Sequence, residues 1–339
     1  MPLSIKLGKI FNIYDYPDKR KEHQKPIIRI GGLGIVLSFY LSIFLLSKIS
    51  IIFFNFDLVG NFSKSILILP FLIFLIGFVD DIYSISPFLR LIFQILISIC
   101  AWFAGIRIEA IDISFLNYEP IIIFRFISLM VTILWLSGMT NAINWVDGSN
   151  GVAGGISFIS LISISIMSYF YGNNEITLLA ITLAGSSLGF LKFNLKPNKI
   201  IMGDSGSNFL GFNLALLSLI GTSRVLTVND INFELFNIFT FLIFFIPIFD
   251  MVRILFLRIL DGASPFLPDK RHLHHFLLMR GNSVMNTFYI FCLITIFTNA
   301  FSLFLVLENN YIRYAFLFLS ILSFLITKQI IVLKKSTNH

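Results

Sequence analysis

The chain has 339 residues, 57% of them hydrophobic and 40 of them Phe, and its mean hydropathy is +0.89. That apolar share exceeds the roughly 45–50% of a soluble domain, which excludes a protein whose only solvent is water. The net charge of +7 has no basic stripe on a soluble element to carry it, so nucleic-acid binding is excluded and membrane topology is its meaning.

In chain order, residues 1–30 are charged and polar and hold no apolar stretch of the kind a cleavable signal peptide needs, so the chain is expected to begin in the cytoplasm. A bilayer core about 30 Å thick takes about 20 apolar helical residues to cross. By that ruler ten spans are predicted, near residues 31–54, 64–80, 88–108, 120–142, 152–171, 176–193, 206–222, 236–258, 284–306 and 311–333. Runs this continuous lack the alternation of a barrel strand, so the fold class is all-α: a polytopic integral membrane helix bundle of about ten transmembrane helices. No polar block is large enough to fold separately. The expected organisation is a basic cytoplasmic lead over 1–30, one membrane domain over 31–333 with cytoplasmic loops, and a cytoplasmic tail over 334–339. Cys100 and Cys292 lie within apolar runs and suggest neither a disulfide nor a metal-ligand spacing.

With these spans, one side of the membrane receives the N-terminal segment, residues 81–87, 143–151, 194–205, 259–283 and the tail, and the other side receives only short links. Nineteen of the 25 Lys and Arg residues lie on or nearer the first side. The positive-inside rule makes that side cytoplasmic.

The acids and amides collect there too. Asp80 and Asp81 end an apolar helix in FVDDIYSIS, where like charge and partial desolvation favour a cation or a shared proton. In NAINWVDGSNGVAGG, Asn141, Asn144 and Asp147 recur every third residue, which confines them to a sector of about 120° on a helix. In KIIMGDSGSNFLGF, Asp204 stands at a helix start, where unpaired N–H groups favour phosphate and the carboxylate offers a hard oxygen to Mg²⁺; an ordinary Asp/Ser cap reads the same way. Lys270, Arg271, His272, His274 and His275 in SPFLPDKRHLHHFLL lack the i, i+4 histidine pairing of a helical zinc site and suit phosphate contacts. The lead DYPDKRKEHQKPIIRIGG, with Lys25 and Arg29, suits anionic headgroups or a phosphorylated substrate.

These motifs, in this order and on one side, resemble the polyprenyl-phosphate N-acetylhexosamine-1-phosphate transferases. These are the glycosyltransferase group 4 enzymes that begin O-antigen, teichoic acid and related polymers, relatives of phospho-N-acetylmuramoyl-pentapeptide transferase. The resemblance is carried by the basic lead, by VDD, by NAINWVDGSNGVAGG, by GDSGSNFLG and by PIFDMVRILFLRILDGASPFLPDKRHLHHFLL. It implies transfer of a sugar-1-phosphate from a UDP-sugar to polyprenyl phosphate with release of UMP, in a bacterial inner membrane with the active site facing the cytoplasm. It implies Mg²⁺ (or Mn²⁺) held by Asn144 and Asp204, with Asp80 and Asp81 near the lipid phosphate and Asp147 as an active-site carboxylate. Asn141, Lys25, Arg29, Lys270, Arg271 and the three histidines are the implied substrate contacts. The implied partners are polyprenyl phosphate, a UDP-sugar and the bilayer; a homodimer is compatible, nucleic acid is not.

Two features depart from the family pattern. Asn150 stands where the family more often has a second acid, and no span precedes the basic lead, where relatives of this branch usually have one. The competing reading from another class is a secondary transporter, which places its acids near the midplane on broken helices. Asp250, inside an apolar run and three residues after Pro247, is the one acid that fits it.

Overall fold

The computed structural model describes residues 1–17, 25–54, 64–112, 118–196, 199–228, 231–237, 240–264, 269–307 and 309–337. Lys19, Arg20 and Lys21 of the basic lead lie outside the described residues. The lead holds a short helix α1 (Pro2–Ile10) and a two-stranded antiparallel ribbon, β1 (Tyr14–Asp15) with β2 (Ile27–Ile28). Then come α2 (Gly31–Phe54), α3 (Lys64–Tyr83), α4 (Pro87–Phe103), β3 (Ala110–Asp112), β4 (Ile121–Ile122), α5 (Arg125–Val146), α6 (Val152–Phe170), α7 (Asn174–Asn194) and α8 (Gly203–Gly221). The remainder is β5 (Arg224–Val228), β6 (Ile231–Asn237), α9 (Thr240–Ile243), α10 (Phe245–Leu260), α11 (Leu273–Met279), α12 (Val284–Val306) and α13 (Asn310–Thr337).

The protein is a polytopic, all-α membrane protein. Each of the ten expected spans carries helix, and among the described residues seven helices are long and apolar enough to cross a bilayer: α2, α3, α5, α6, α7, α12 and α13. The other three segments depart from that form for separate reasons. The helix α4 is 17 residues long and ends at a turn through Gly105, whose φ is +91°. The helix α8 is less apolar because protein, not lipid, surrounds it: it packs against α2, α3, α5, α6 and α7, and all its residues except Gly203, Asp204 and Ile220 are buried. Several of its polar side chains bond back to its own turns, as Asn213 Nδ2 does to the Phe209 carbonyl at 2.8 Å and Ser218 Oγ to the Ala215 carbonyl at 2.9 Å. Phe39, Tyr40 and Phe74 pack around Phe209, with ring centroids 5.8, 6.2 and 6.5 Å away.

The third departure is the 236–258 segment, which breaks between α9 and α10 at Phe244. Pro247 has no N–H to give the carbonyl four residues back, that of Ile243. That carbonyl instead accepts from Asn299 Nδ2 at 2.9 Å and from Ser160 Oγ at 3.3 Å, so neighbouring helices satisfy what the proline leaves open.

The links on the face away from the acids are more than short connections. They form a four-stranded sheet in the order β4-β3-β6-β5, with β3 parallel to β6 (Ala110 opposite Leu235) and the other pairs antiparallel. The stretches Arg224–Val228 and Ile231–Asn237 are rich in β-branched and aromatic residues, which favour a pleated surface. The parallel pairing brings the links after α4 and α8 together at one end of the bundle, opposite the end where the acids meet.

Candidate functional site

The opposite end is built on a close approach of backbones. A Cβ on Gly32 would collide with the backbone of Gly206, and one on Gly77 would lie 2.5 Å from the Asp204 carbonyl oxygen, so α2 and α3 can pack directly on the first turn of α8. Gly203 has φ +76°, and a Cβ there would lie 2.6 Å from Asp81 Oδ2 and 2.7 Å from the Arg29 carbonyl oxygen.

At that first turn, α8 has no side-chain cap of its own at Met202. Asp81 supplies one from α3: its Oδ1 accepts the Asp204 N–H at 2.8 Å and its Oδ2 the Ser205 N–H at 3.0 Å. A carboxylate there complements the positive end of the helix. Arg29 crosses from the lead, with Nε 3.0 Å from Asp81 Oδ1, one terminal nitrogen 2.5 Å from Asp204 Oδ2 and the other 3.8 Å from Asp15 Oδ1. Arg90, on the first turns of α4, lies 2.7 Å from Asp80 Oδ2 and 3.1 Å from Asp204 Oδ1. Asn144, near the end of α5, donates to Asp204 Oδ1 at 2.5 Å and to Ser207 Oγ at 2.9 Å. Four carboxylates thus face two guanidiniums, which leaves the cluster with surplus negative charge. Asp147, just beyond α5, does not add to that charge: burial first, then the charges of Asp204 and Asp81, push its carboxyl well above the usual range and so toward the neutral form.

The same helix end reaches the histidines. His272 lies edge-on to Trp145 with ring centroids 5.8 Å apart, and His274 packs where a Cβ on Gly148 would stand. His274 is buried with neither ring nitrogen hydrogen-bonded among the described residues. Burial, reinforced by His275 and His272, pushes it down to about 3, so it is a neutral ring. Burial, then the neighbouring His272 and Lys270, lower His275 as well. The stretch 144–148 is therefore the hinge of the site: Asn144 touches the acid cluster, and Trp145 and Gly148 touch the histidine segment.

Of the residues singled out by sequence, Arg29, Asp80, Asp81, Asn144, Asp147 and Asp204 meet in one cluster, and His272, His274 and His275 stand beside it. Three go elsewhere. Asn141 pairs with Gln94 of α4, Nδ2 to Oε1 at 2.6 Å. Arg271 is held by Asp269 at 2.8 Å and Asp261 at 2.6 Å, and its hydrogen bonds keep Asp269 well below the usual carboxylate range. Lys25 and Lys270 are exposed. The reading from sequence missed Arg90 and Asp15. The first was counted only for topology, although it follows the acidic pair by one helical turn beyond Pro87; the second sits in the basic lead, where its neighbours draw attention to cations.

The donor set bears on metal binding. Asp80, Asp81, Asp204 and the Asn144 amide are hard oxygen donors, and the surplus negative charge matches a divalent cation. The oxygens of Asp204 already accept from Arg29, Arg90 and Asn144, and no group of three His, Cys, Asp or Glu residues is spaced to hold an ion among the described residues. The chemistry of the donors fits Mg²⁺, with the guanidiniums as the counter-ions that would give way.

Comparison with known proteins places this geometry. The glycosyl transferase family 4 model matches residues 63–222. The chain is 33% identical to the probable undecaprenyl-phosphate N-acetylglucosaminyl 1-phosphate transferase of Bacillus subtilis, over 83% of this chain and 73% of that one. It is 30% identical to the decaprenyl-phosphate N-acetylglucosaminephosphotransferase of Mycobacterium leprae, over 79% and 70% of the two chains. It is 28% identical to the undecaprenyl-phosphate alpha-N-acetylglucosaminyl 1-phosphate transferase of Yersinia pestis, over 82% and 72%. The matched stretch contains the acidic pair of α3, the amide end of α5 and the glycine-framed start of α8, and with such relatives along most of its length this chain belongs to glycosyl transferase family 4.

Proposed function

We propose that this chain moves an N-acetylhexosamine 1-phosphate from a UDP-sugar onto polyprenyl phosphate at the cytoplasmic face of a bacterial inner membrane. The observation that carries this reading is the meeting of Asp80, Asp81, Asn144 and Asp204 with Arg29 and Arg90, at the ends of apolar helices and beside three histidines. The relatives, named as transferases acting on undecaprenyl or decaprenyl phosphate, support the same substrate class.

In the reaction an oxygen of the carrier phosphate attacks the sugar-linked phosphorus of the donor. A new P–O bond joins carrier and sugar phosphate as a diphosphate, the old diphosphate P–O bond breaks, and UMP leaves. Two polyanions must approach, so the site has to offset charge before bonds change. Arg29 and Arg90 supply positive charge next to the acids, and the histidine segment faces the remaining phosphate oxygens. Both oxygens of Asp81 are engaged by the first turn of α8, so Asp80 is the member of the pair that faces the carrier phosphate and accepts its proton. Asp204 and Asn144 would hold Mg²⁺, which when bound polarises the donor diphosphate. The transporter reading loses its main support because Asp250 is bound by His272 and the backbone of Leu273.

The test incubates membranes bearing the chain with radiolabelled UDP-N-acetylhexosamine, polyprenyl phosphate and Mg²⁺. A labelled, organic-soluble product that disappears in Asp204→Asn and on chelation is expected. Membranes that contain the protein and form no such product from any UDP-N-acetylhexosamine would overturn the reading.

A further inference from the structure

Asp250 is 1% exposed, in the middle of the apolar helix α10. A buried carboxylate is costly unless its oxygens are hydrogen-bonded, and here both are. Oδ2 lies 2.7 Å from His272 Nδ1, and Oδ1 accepts the Leu273 N–H at 2.9 Å. Two further residues of α10 grip the same segment. Arg253 donates to the Arg271 carbonyl, and Arg258 lies 3.5 Å from Asp269 with its guanidinium 4.8 Å from the centre of the Trp145 ring. The histidine segment is thus fastened to α10 along its length and leans on the α5 end that carries Asn144.

We infer that Asp250 is a positioning residue for the transfer reaction: it fixes the His272 ring in the Nδ1–H tautomer and leaves Nε2 as the working nitrogen. A carboxylate only accepts, so the nitrogen facing it carries the proton. Nε2 makes no hydrogen bond among the described residues, and the ring is kept in place by Trp145 on one side and His274, 5.7 Å away and nearly parallel, on the other. A ring held this way offers Nε2 to a phosphate oxygen or its proton with little reorganisation. The inference rests on the transfer reading for its purpose, but not for its geometry.

Asp250→Asn separates anchoring from tautomer control. Its carbonyl oxygen still accepts the Leu273 N–H, but its NH₂ now faces Nδ1, so the ring must turn its proton to Nε2. Asp250→Ala loses both contacts. ¹⁵N spectra of histidine-labelled protein, with His272→Gln as the assignment control, should show protonated Nδ1 in the wild type and protonated Nε2 in Asp250→Asn. In the transfer assay, Asp250→Asn should lose about 10–100-fold in kcat, with little change in KM for the UDP-sugar and a melting temperature near the wild type. Added to His272→Gln, it should cost nothing more. A wild-type His272 protonated on Nε2, or an Asn variant with full kcat beside a weakened Ala variant, would reduce Asp250 to an anchor and overturn the inference. If the wild type turns over no UDP-sugar, the transfer reading falls, and the spectra still decide what Asp250 does to the ring.

Discussion

Asp81 looks like one half of an acidic pair poised for chemistry, yet its contacts are those of a helix cap. In Asp81→Asn the side-chain oxygen stays with the Asp204 N–H and Arg29, which share Oδ1 in the wild type, and the new NH₂ is left facing the Ser205 N–H. A hydrogen bond to a charged group contributes about 1.5–3 kcal/mol net, so losing the Ser205 bond and weakening the Asp204 bond removes about 2–4 kcal/mol. At about 2 °C per kcal/mol for a long chain, the melting temperature should fall by roughly 4–8 °C. Asp80→Asn is the contrast, because Asp80 Oδ2 meets Arg90 and an amide oxygen can still accept from it. That variant should melt within about 2 °C of the wild type and still lose transfer. The measurements are thermal unfolding in one detergent at one heating rate, beside the radiolabel assay. Wild-type melting in Asp81→Asn with transfer abolished would refute the cap and return Asp81 to the chemistry.

Two further outcomes follow from single contacts. Burial pushes His274 down to about 3, whereas in the unfolded chain it titrates near 6.5, so between those values it binds fewer protons folded than unfolded. Its stabilisation is complete above pH 6.5 and is lost as pH falls toward 3, by at most about 1.4 kcal/mol per pH unit. His274→Phe should flatten the fall in melting temperature between pH 6.5 and pH 5; parallel curves for the two proteins would contradict the assignment. Asn299→Leu leaves the Ile243 carbonyl with only the longer Ser160 bond and should cost about 1–3 kcal/mol. Restoring an N–H by Pro247→Ala in that background should recover part of the loss, and no recovery would mean that the carbonyl is satisfied in another way.

Much of this arrangement was legible in the chain because each site acid lies at the edge of an apolar run. Once the runs are folded back and forth, Asp80, Asp81, Asn144, Asp147 and Asp204 have to arrive at one end. What could not be read was pairing. Arg90 and Arg29 contribute to the positive-inside count like any other basic residue, and nothing local says that they bind Asp80 and Asp204 rather than lipid headgroups. Asn141 shares its helical sector with Asn144, yet Gln94 claims it, because only tertiary packing decides which neighbour an amide meets. Asp250 looked misplaced as a carboxylate in a span, until the segment after α10 folded back and gave it a histidine. The sheet was missed because most of its strand residues fall in links that were judged by length alone, whereas the break between α9 and α10 lies three residues before Pro247.

The near-complete enclosure of α8 has a consequence for the protein's environment. The rod that presents Asp204 has almost no acyl chain for a neighbour, so changes in lipid length or fluidity act first on the outer ring, above all on α13, which among the described residues has α12 as its one principal contact. Reaction geometry and membrane adaptation are thereby assigned to different helices, and the periphery is free to drift with its host while the centre stays still.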